Sequence, residues 1–178
     1  MKIIAFTGKM ASGKTTAINI LNRIASDHMY DSKLIKFADP LYKIQEYVYQ
    51  TCNLPQPRPK DRKLLQYLGT EWGRSKDNNL WVNLWRDDVL WSYNYDIIFN
   101  DDCRFNNEAE VIRELDGTII AIESSNKTRA SRITLEGIEH ASEKGIDSKY
   151  IDVTIYNDGT LMDLENQLTN LFDKLIHE

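Results

Sequence analysis

Two glycines with four residues between them, followed at once by a lysine and a threonine, make up Gly8-Lys9-Met10-Ala11-Ser12-Gly13-Lys14-Thr15. The chemistry of that pattern is phosphate binding. Glycine permits the backbone turns that aim successive N–H groups at an oxyanion, and a helix starting immediately behind them adds its partial positive charge. Lys14 would lie against the β- and γ-phosphates of a nucleoside triphosphate, and Thr15 would offer its hydroxyl to a Mg²⁺ ion bridging them. Every residue from Gly8 to Thr15, with Thr16 beside them, belongs to the expected triphosphate site. A glycine-rich strand-to-helix turn that binds nothing would need neither the lysine nor the threonine.

A second charged group, Asp101-Asp102-Cys103-Arg104, follows the apolar run that ends at Asn100. Asp102 is the candidate for the metal side of the phosphate site, and Asp101 is read as a helix cap or turn residue. Arg104 can form bidentate bonds to an acceptor phosphate or screen the group in transfer. Arg129 and Arg132, with Lys127, concentrate positive charge after the fourth apolar run and read as lid residues that close on the triphosphate. The plainer reading is a solvated helix face. Arg74 completes the set, although an arginine at a helix end also complements the helix dipole. His28, His140 and His177 show no ligand spacing, which argues against a histidine metal site.

These groups need a frame. Short apolar runs at Lys2–Thr7, Lys33–Phe37, Asp96–Asn100, Thr118–Ile122 and Ile151–Tyr156 alternate with segments of helical periodicity. That alternation predicts an α/β fold with a parallel sheet and helices on both faces. Asp39-Pro40 marks a helix start, with Asp39 as N-cap and Pro40 at the first helical position. Pro55-Gln56-Pro57-Arg58-Pro59 lacks P-x-x-P spacing and reads as an extended connector. Leu64–Tyr93 carries a helical pattern that Gly69 and Gly73 weaken or end. Trp81, Leu84 and Trp85 lie at helical spacing, flanked by Trp72 and Trp91. These tryptophans are expected in the core, with stacking on a nucleobase as the alternative for one of them.

A chain of 178 residues fits a single domain, and its net charge of −5 exerts no global pull towards a nucleic acid polymer or an anionic membrane. Any anion site must therefore be local. No apolar run approaches membrane-spanning length, and the first strand starts too early to leave a cleavable signal, so a cytoplasmic location is expected. The two cysteines, Cys52 and Cys103, match no metal or C-x-x-C spacing and suit a reducing compartment. Cys52 is expected to pack as a small apolar group.

Several segments together resemble the bacteriophage deoxynucleoside monophosphate kinases, within the nucleoside monophosphate kinase group. Beyond the phosphate loop they are Phe37-Ala38-Asp39-Pro40-Leu41, the run Leu64-Leu65-Gln66-Tyr67-Leu68-Gly69-Thr70-Glu71 leading to Arg74, and Trp81-Val82. Further on come Asp102-Cys103-Arg104-Phe105-Asn106-Asn107-Glu108, His140-Ala141-Ser142-Glu143 and Asn157-Asp158-Gly159-Thr160-Leu161. The segments around Phe37 and Asn157 are also similar to dephospho-coenzyme A kinase and phosphomevalonate kinase. Those at Leu64–Arg74, Trp81-Val82 and Asp102–Glu108 point to the phage enzymes. The resemblance implies a P-loop NTPase fold of strand order 2-3-1-4-5 within one domain, residues 1–178. It also implies a helical acceptor-binding region over about residues 39–94 and a lid over about residues 124–146.

The resemblance further places Arg74 and Arg104 on the acceptor phosphate, with Asp39 and Trp81 in the same acceptor site. Lys14, Arg104, Arg129 and Arg132 would be the catalytic charges, and Asn157, Asp158 and Gly159 would lie near the adenine of ATP. The implied partners are ATP and a deoxynucleoside monophosphate, with Mg²⁺ as cofactor, no membrane, a homodimer left open and the host cytoplasm as the location. The expected reaction is attack of an acceptor phosphate oxygen on the γ-phosphorus of ATP. A phosphate monoester has its second pKa near about 6 and is already ionised at neutral pH, so no protein base is needed. A hydroxyl acceptor would require a carboxylate base, which Asp39 could supply, so another small-molecule kinase is the competing enzyme. A GTPase is set aside because Asn126-Lys127-Thr128-Arg129 has arginine where the guanine-reading N-K-x-D needs aspartate. A non-catalytic nucleotide-binding module is the last alternative, and the arginines argue against it.

Overall fold

Side chains along a strand alternate between faces, and the first strand uses both. In the computed structural model, which describes residues 1–58, 60–132 and 144–177, β1 (Lys2–Thr7) sends Ile4 and Phe6 into one core and Ile3 and Ala5 into another. A strand buried on both sides belongs in the middle of a sheet. β1 pairs in parallel with β3 (Ile97–Asn100) and β4 (Thr118–Glu123). The edges are β2 (Ser32–Leu34) beside β3 and β5 (Val153–Tyr156) beside β4. The resulting five-stranded order β2-β3-β1-β4-β5 is the one the resemblance implies.

Helices α1 (Lys14–Asp27) and α7 (Leu161–His177) cover one face through Leu21, Ile24, Leu168 and Phe172. The other face is closed by α4 (Leu80–Leu90) and α5 (Asn106–Glu114), through Trp85, Val89 and Ile112. Each large apolar side chain buried in this way contributes about 1.5–3 kcal/mol. Between β2 and α4 lie α2 (Asp39–Thr51), α3 (Arg62–Gln66) and a π-helical stretch, Tyr67–Arg74. A short helix, α6 (Asn126–Arg132), follows β4. Residues 133–143 of the expected lid, and with them His140-Ala141-Ser142-Glu143, lie outside the described residues.

Several local expectations need correction. β2 stops at Leu34, although Ile35 N still donates to Phe99 O at 2.9 Å, because Phe37-Ala38 already turn towards α2. β5 starts only at Val153, a 3₁₀ turn over Ser148–Tyr150 coming first. Ala38 takes the N-cap position of α2, while Asp39 lies inside the first turn and accepts the Lys36 N–H at 2.8 Å. Cys52 is exposed beyond the end of that helix. Trp81 and Trp85 are core, but Trp72 and Trp91 are exposed.

Gly69 and Gly73 do not end the helical run; the chain passes through both in π-helical turns. Trp81 supplies the reason. Its indole N–H donates to the Gly69 carbonyl at 2.8 Å, and a Cβ on Gly73 would stand 2.4 Å from Trp81 Cζ2. Glycine is required there for close approach. Gly73→Ala is expected to lower stability by about 1–3 kcal/mol through overpacking, against the roughly 1 kcal/mol that alanine gains over glycine in a helix. Urea unfolding would measure it, and a more stable variant would show that Trp81 does not need the space.

Candidate active site

The loop between β1 and α1 carries the conformations a phosphate cradle needs. Gly8 and Gly13 have φ of +136° and +110°, and a Cβ on either would meet Ile122 O at 2.3 Å or Asn157 Nδ2 at 2.2 Å. Ala11 adopts a positive φ of 63° without being glycine, a strained geometry of the kind found at ligand sites. The loop carbonyls are met by donors one after another. Lys14 Nζ donates to Gly8 O (2.7 Å) and Lys9 O (3.0 Å). Arg129, 5% exposed, reaches Met10 O (3.4 Å) and Asn126 Oδ1 (2.6 Å). Arg132 Nη1 donates to Ala11 O (3.0 Å) and Ser12 O (3.1 Å), and its Nη2 to Asn157 O (3.0 Å).

Arg129 and Arg132, expected to close over ATP, thus stand against the backbone of the loop that would hold it. Asn157 joins them, its amide donating to Ser12 O at 2.8 Å. Asp158 accepts the Ser125 N–H at 2.8 Å, and its carboxyl is held below the usual range first by the Thr128 hydroxyl and then by that N–H. Gly159 follows, where a Cβ would stand 2.6 Å from Asp163 Oδ2 at the end of that side chain. Thr15 and Thr16 are exposed in the first turn of α1.

The carboxylate beside Thr15 is Asp101, where the sequence pointed to Asp102. Thr15 Oγ1 donates to Asp101 Oδ2 at 3.1 Å, and Lys36 Nζ lies 2.9 Å from Asp101 Oδ1. Asp102 turns the other way and accepts the Phe37 and Ala38 N–H groups at 3.0 and 2.9 Å and Asn100 Nδ2 at 2.8 Å. Burial raises the Asp102 pKa, with the Ala38 N–H opposing. Burial also works against the charge on Lys36, but the Asp101 carboxylate outweighs it and the lysine pKa is raised. Lys36 was not singled out from sequence. Two hard oxygens, Thr15 Oγ1 and an Asp101 carboxylate oxygen, fit Mg²⁺, which takes one or two protein ligands and completes its shell with phosphates and water. Among the described residues, no cluster of three or more His, Cys, Asp or Glu residues is arranged to hold a metal ion.

Beside the tip of the loop opens a cavity of about 190 Å³, lined by Met10, Trp81 and Asp102 and by three arginines, Arg62, Arg74 and Arg104. Arg74 comes from the π-helical stretch and is nearly buried. Its Nη2 lies 2.5 Å from Glu108 Oε1, its Nη1 donates to Asn78 O and Asn107 Oδ1 at 3.1 Å each, and its guanidinium stacks 3.8 Å above the Phe105 ring. The other Glu108 oxygen accepts the Arg104 N–H (2.7 Å) and the Phe105 N–H (3.1 Å). Burial pushes the Glu108 pKa up to about 7, with Arg74 opposing the shift and Asp102 adding to it.

Arg62 rests against the loop itself, Nη1 to Met10 Sδ at 3.0 Å. Nothing in its local sequence marks it, because one cation in a short helix is ordinary. Asp39, bonded to Lys36 N, is absent from the cavity lining. Cys103 is buried, its thiol pKa raised first by burial and then by Glu108, which makes it a poor nucleophile.

Residues 27–168 match the deoxynucleotide monophosphate kinase family, and the chain belongs to that family. It is 28% identical over 204 aligned residues, covering 97% of each chain, to a putative deoxynucleotide monophosphate kinase of Acanthamoeba polyphaga mimivirus. It is 30% identical over 116 residues, 61% of this chain and 44% of the other, to the deoxynucleotide monophosphate kinase of Enterobacteria phage T4. Among solved structures, the APS kinase of Mycobacterium tuberculosis in complex with AMPPNP and APS superposes with a TM-score of 0.59 at 13% identity, covering 99% of this chain and 98% of that one. Shikimate kinase from Acinetobacter baumannii in complex with shikimate gives 0.51 at 14% identity, covering 98% and 94%. At these identities the likeness shows the fold alone.

The Glu108 pKa makes stability depend on pH. A carboxyl near 7 when folded and near 4.5 when unfolded binds more protons in the native state between those values, so its contribution falls as pH rises through that window. Glu108→Gln cannot titrate. Urea unfolding at pH 5 and pH 7.5 should show the wild type losing stability relative to the variant by up to about 3 kcal/mol, and a pH-independent difference would place the Glu108 pKa at the ordinary value.

Proposed function

We propose that this member of the deoxynucleotide monophosphate kinase family moves the γ-phosphoryl group of ATP onto the phosphate of a deoxynucleoside monophosphate. The observation that carries this reading is the junction at Met10, where a phosphate loop and a cavity lined by three arginines share one wall. Two anions must be brought together there, and cations on both sides of the junction suit that task.

In this reading the triphosphate lies on the outward N–H groups of Gly8–Thr15, and Lys14 exchanges the Gly8 and Lys9 carbonyls for phosphate oxygens. Thr15 and Asp101 would hold Mg²⁺, which when bound neutralises charge across the β- and γ-phosphates. Arg74 and Arg104 grip the acceptor phosphate, Trp81 and the apolar wall receive its base, and Arg62 faces the boundary between the two substrates. Arg129, Arg132 and Asn157 hold the loop in shape from behind, and Asp158 and Gly159 lie on the adenine side. The whole chain acts as one domain, with about residues 39–94 binding the acceptor and about residues 124–146 closing over the nucleotide. No general base is needed. A hydroxyl acceptor would need one, and Asp39, committed to the Lys36 N–H outside the cavity, is not placed to serve.

The test is ADP release with dAMP, dCMP, dGMP, dTMP and their ribose counterparts, each offered singly. Turnover with at least one deoxynucleotide supports the reading, and none with any of the eight sinks it. Lys14→Ala should lose at least about 100-fold in turnover with the fold retained by circular dichroism; activity within a few-fold of the parent would remove Lys14 from the transfer step. Arg104→Ala should weaken acceptor use by about 1.5–3 kcal/mol while the KM for ATP stays nearly constant. Lysine at position 104 should rescue poorly because it lacks the bidentate fork. Loss of ATP affinity with acceptor parameters untouched would move Arg104 to the donor side.

A further inference from the structure

A carboxylate lines the cavity in which a phosphate dianion is expected. Glu108, in the first turn of α5, keeps a side chain only 4% exposed and uses both oxygens, Oε1 on Arg74 and Oε2 on the Arg104 and Phe105 N–H groups. The charged or titratable groups that act on it are Arg74 from the π-helical stretch and Asp102 and Cys103 from the segment after β3, while Arg104 meets it through its backbone N–H. A monophosphate held by Arg74 and Arg104 would share one guanidinium with Glu108. Like charges in one site disfavour ionisation of the weaker acid. Moving Arg74 away instead would leave a buried carboxylate uncompensated. Protonation removes the conflict, because a neutral carboxyl still accepts the backbone N–H groups and gains an O–H donor.

We propose that binding of the acceptor monophosphate is coupled to uptake of a proton by Glu108, the residue that positions Arg74 and the Arg104–Phe105 backbone. The proposal rests on reading the cavity as the acceptor site. The balance is simple: one solvent proton converts the Glu108 carboxylate to a carboxyl, Arg74 stays cationic, and the phosphate stays a dianion. The Glu108 pKa is already raised to about 7, so a modest further rise carries it across neutral pH.

Isothermal titration of the protein with dAMP, dCMP, dGMP and dTMP in turn, in Tris and in Hepes at pH 7.5, reads the protons exchanged from the difference in enthalpy between buffers. The monophosphate, with its second pKa near about 6, is almost fully ionised at that pH. Wild type should take up about 0.7 proton per monophosphate bound, and Glu108→Gln, still binding, should take up less than about 0.2. Equal enthalpies in the two buffers, or the same uptake in the variant, would overturn the proposal. If circular dichroism shows the variant unfolded, the wild type decides alone: uptake must shrink below pH 7 once the ligand's own titration is subtracted, and a pH-independent value overturns it. Binding of none of the four monophosphates overturns the acceptor reading and the proposal with it, whereas binding without buffer dependence overturns only the proton uptake.

Discussion

Turning the N–H groups of a loop towards one point turns its carbonyls away from it, and those carbonyls must find donors. From Gly8 to Ser12 every carbonyl does so, through Lys14, Arg129, Arg132, Asn157 and Ser124. Ser12 is buried, and its carbonyl left unbonded would cost as much as a lost hydrogen bond or more, so Arg132 and Asn157 are part of what makes the cradle a stable shape. The donors come from α1, from the segment between β4 and α6, from α6 itself and from the turn after β5. They converge because the C-terminal ends of β1, β4 and β5 lie side by side in a parallel sheet, the edge at which such folds place ligands. The central position of β1, buried on both faces, thus fixes where the loop sits and which elements can reach it.

The arginine-lined cavity depends on a different contact. Its wall needs the π-helical stretch to come close to α4, and the approach is set by Trp81 packed against Gly73 and bonded to Gly69 O. The wide turns place Arg74 at the C-terminal end of that stretch, where Phe105 stacks beneath it and Glu108 meets it from α5. The arginine side of the cavity is therefore assembled from three chain segments, and Glu108 bridges two of them. Asp102 closes the floor by accepting the two N–H groups that lead into α2.

The phosphate loop was legible in the sequence because its function is local: two glycines, a lysine and a threonine act within one turn of chain. The parallel sheet with helices on both faces followed from the alternation of apolar runs and helical segments, while the strand order came from the resemblance; of the tryptophans expected in the core, only Trp81 and Trp85 are buried. What escaped has a common cause. Asp101 and Asp102 are neighbours in the bend after β3 and bond to different partners, Thr15 and Lys36 for one and the Phe37 and Ala38 N–H groups for the other, and only the meeting of β2, β3 and α1 decides which of them faces Thr15. Lys36 and Arg62 are ordinary single cations whose partners lie 65 and 52 positions away in the chain. Gly69 and Gly73 carry a propensity cost that reads as a helix end, and tertiary contact with Trp81 reverses it. Arg129 and Arg132 were noticed as a cationic pair, but periodicity says nothing about whether such a pair faces a ligand or the carbonyls behind it.

In a chain of net charge −5, gathering this many cations at one edge of the sheet would be self-repulsive if they stood bare. They are instead engaged by protein groups: Lys14 on loop carbonyls, Lys36 on Asp101, Arg74 on Glu108. Binding two anions then becomes an exchange of partners, in which existing bonds to carbonyls and carboxylates give way to phosphate oxygens. Such an exchange changes net affinity less than new bonds would, because what is given up offsets part of what is gained. It also keeps the donors ordered before the substrates arrive, which lowers the conformational cost of assembling the site. The weak points of the arrangement are the carboxylates, since a carbonyl released by Lys14 is merely a dipole whereas Asp101 and Glu108 keep a charge that the incoming phosphates oppose. Asp101 has a cationic neighbour in Lys36, and in the proposed reading a Mg²⁺ held there would add its charge against that opposition. Glu108, which in the same reading would share Arg74 with the acceptor, has protonation as its remaining route.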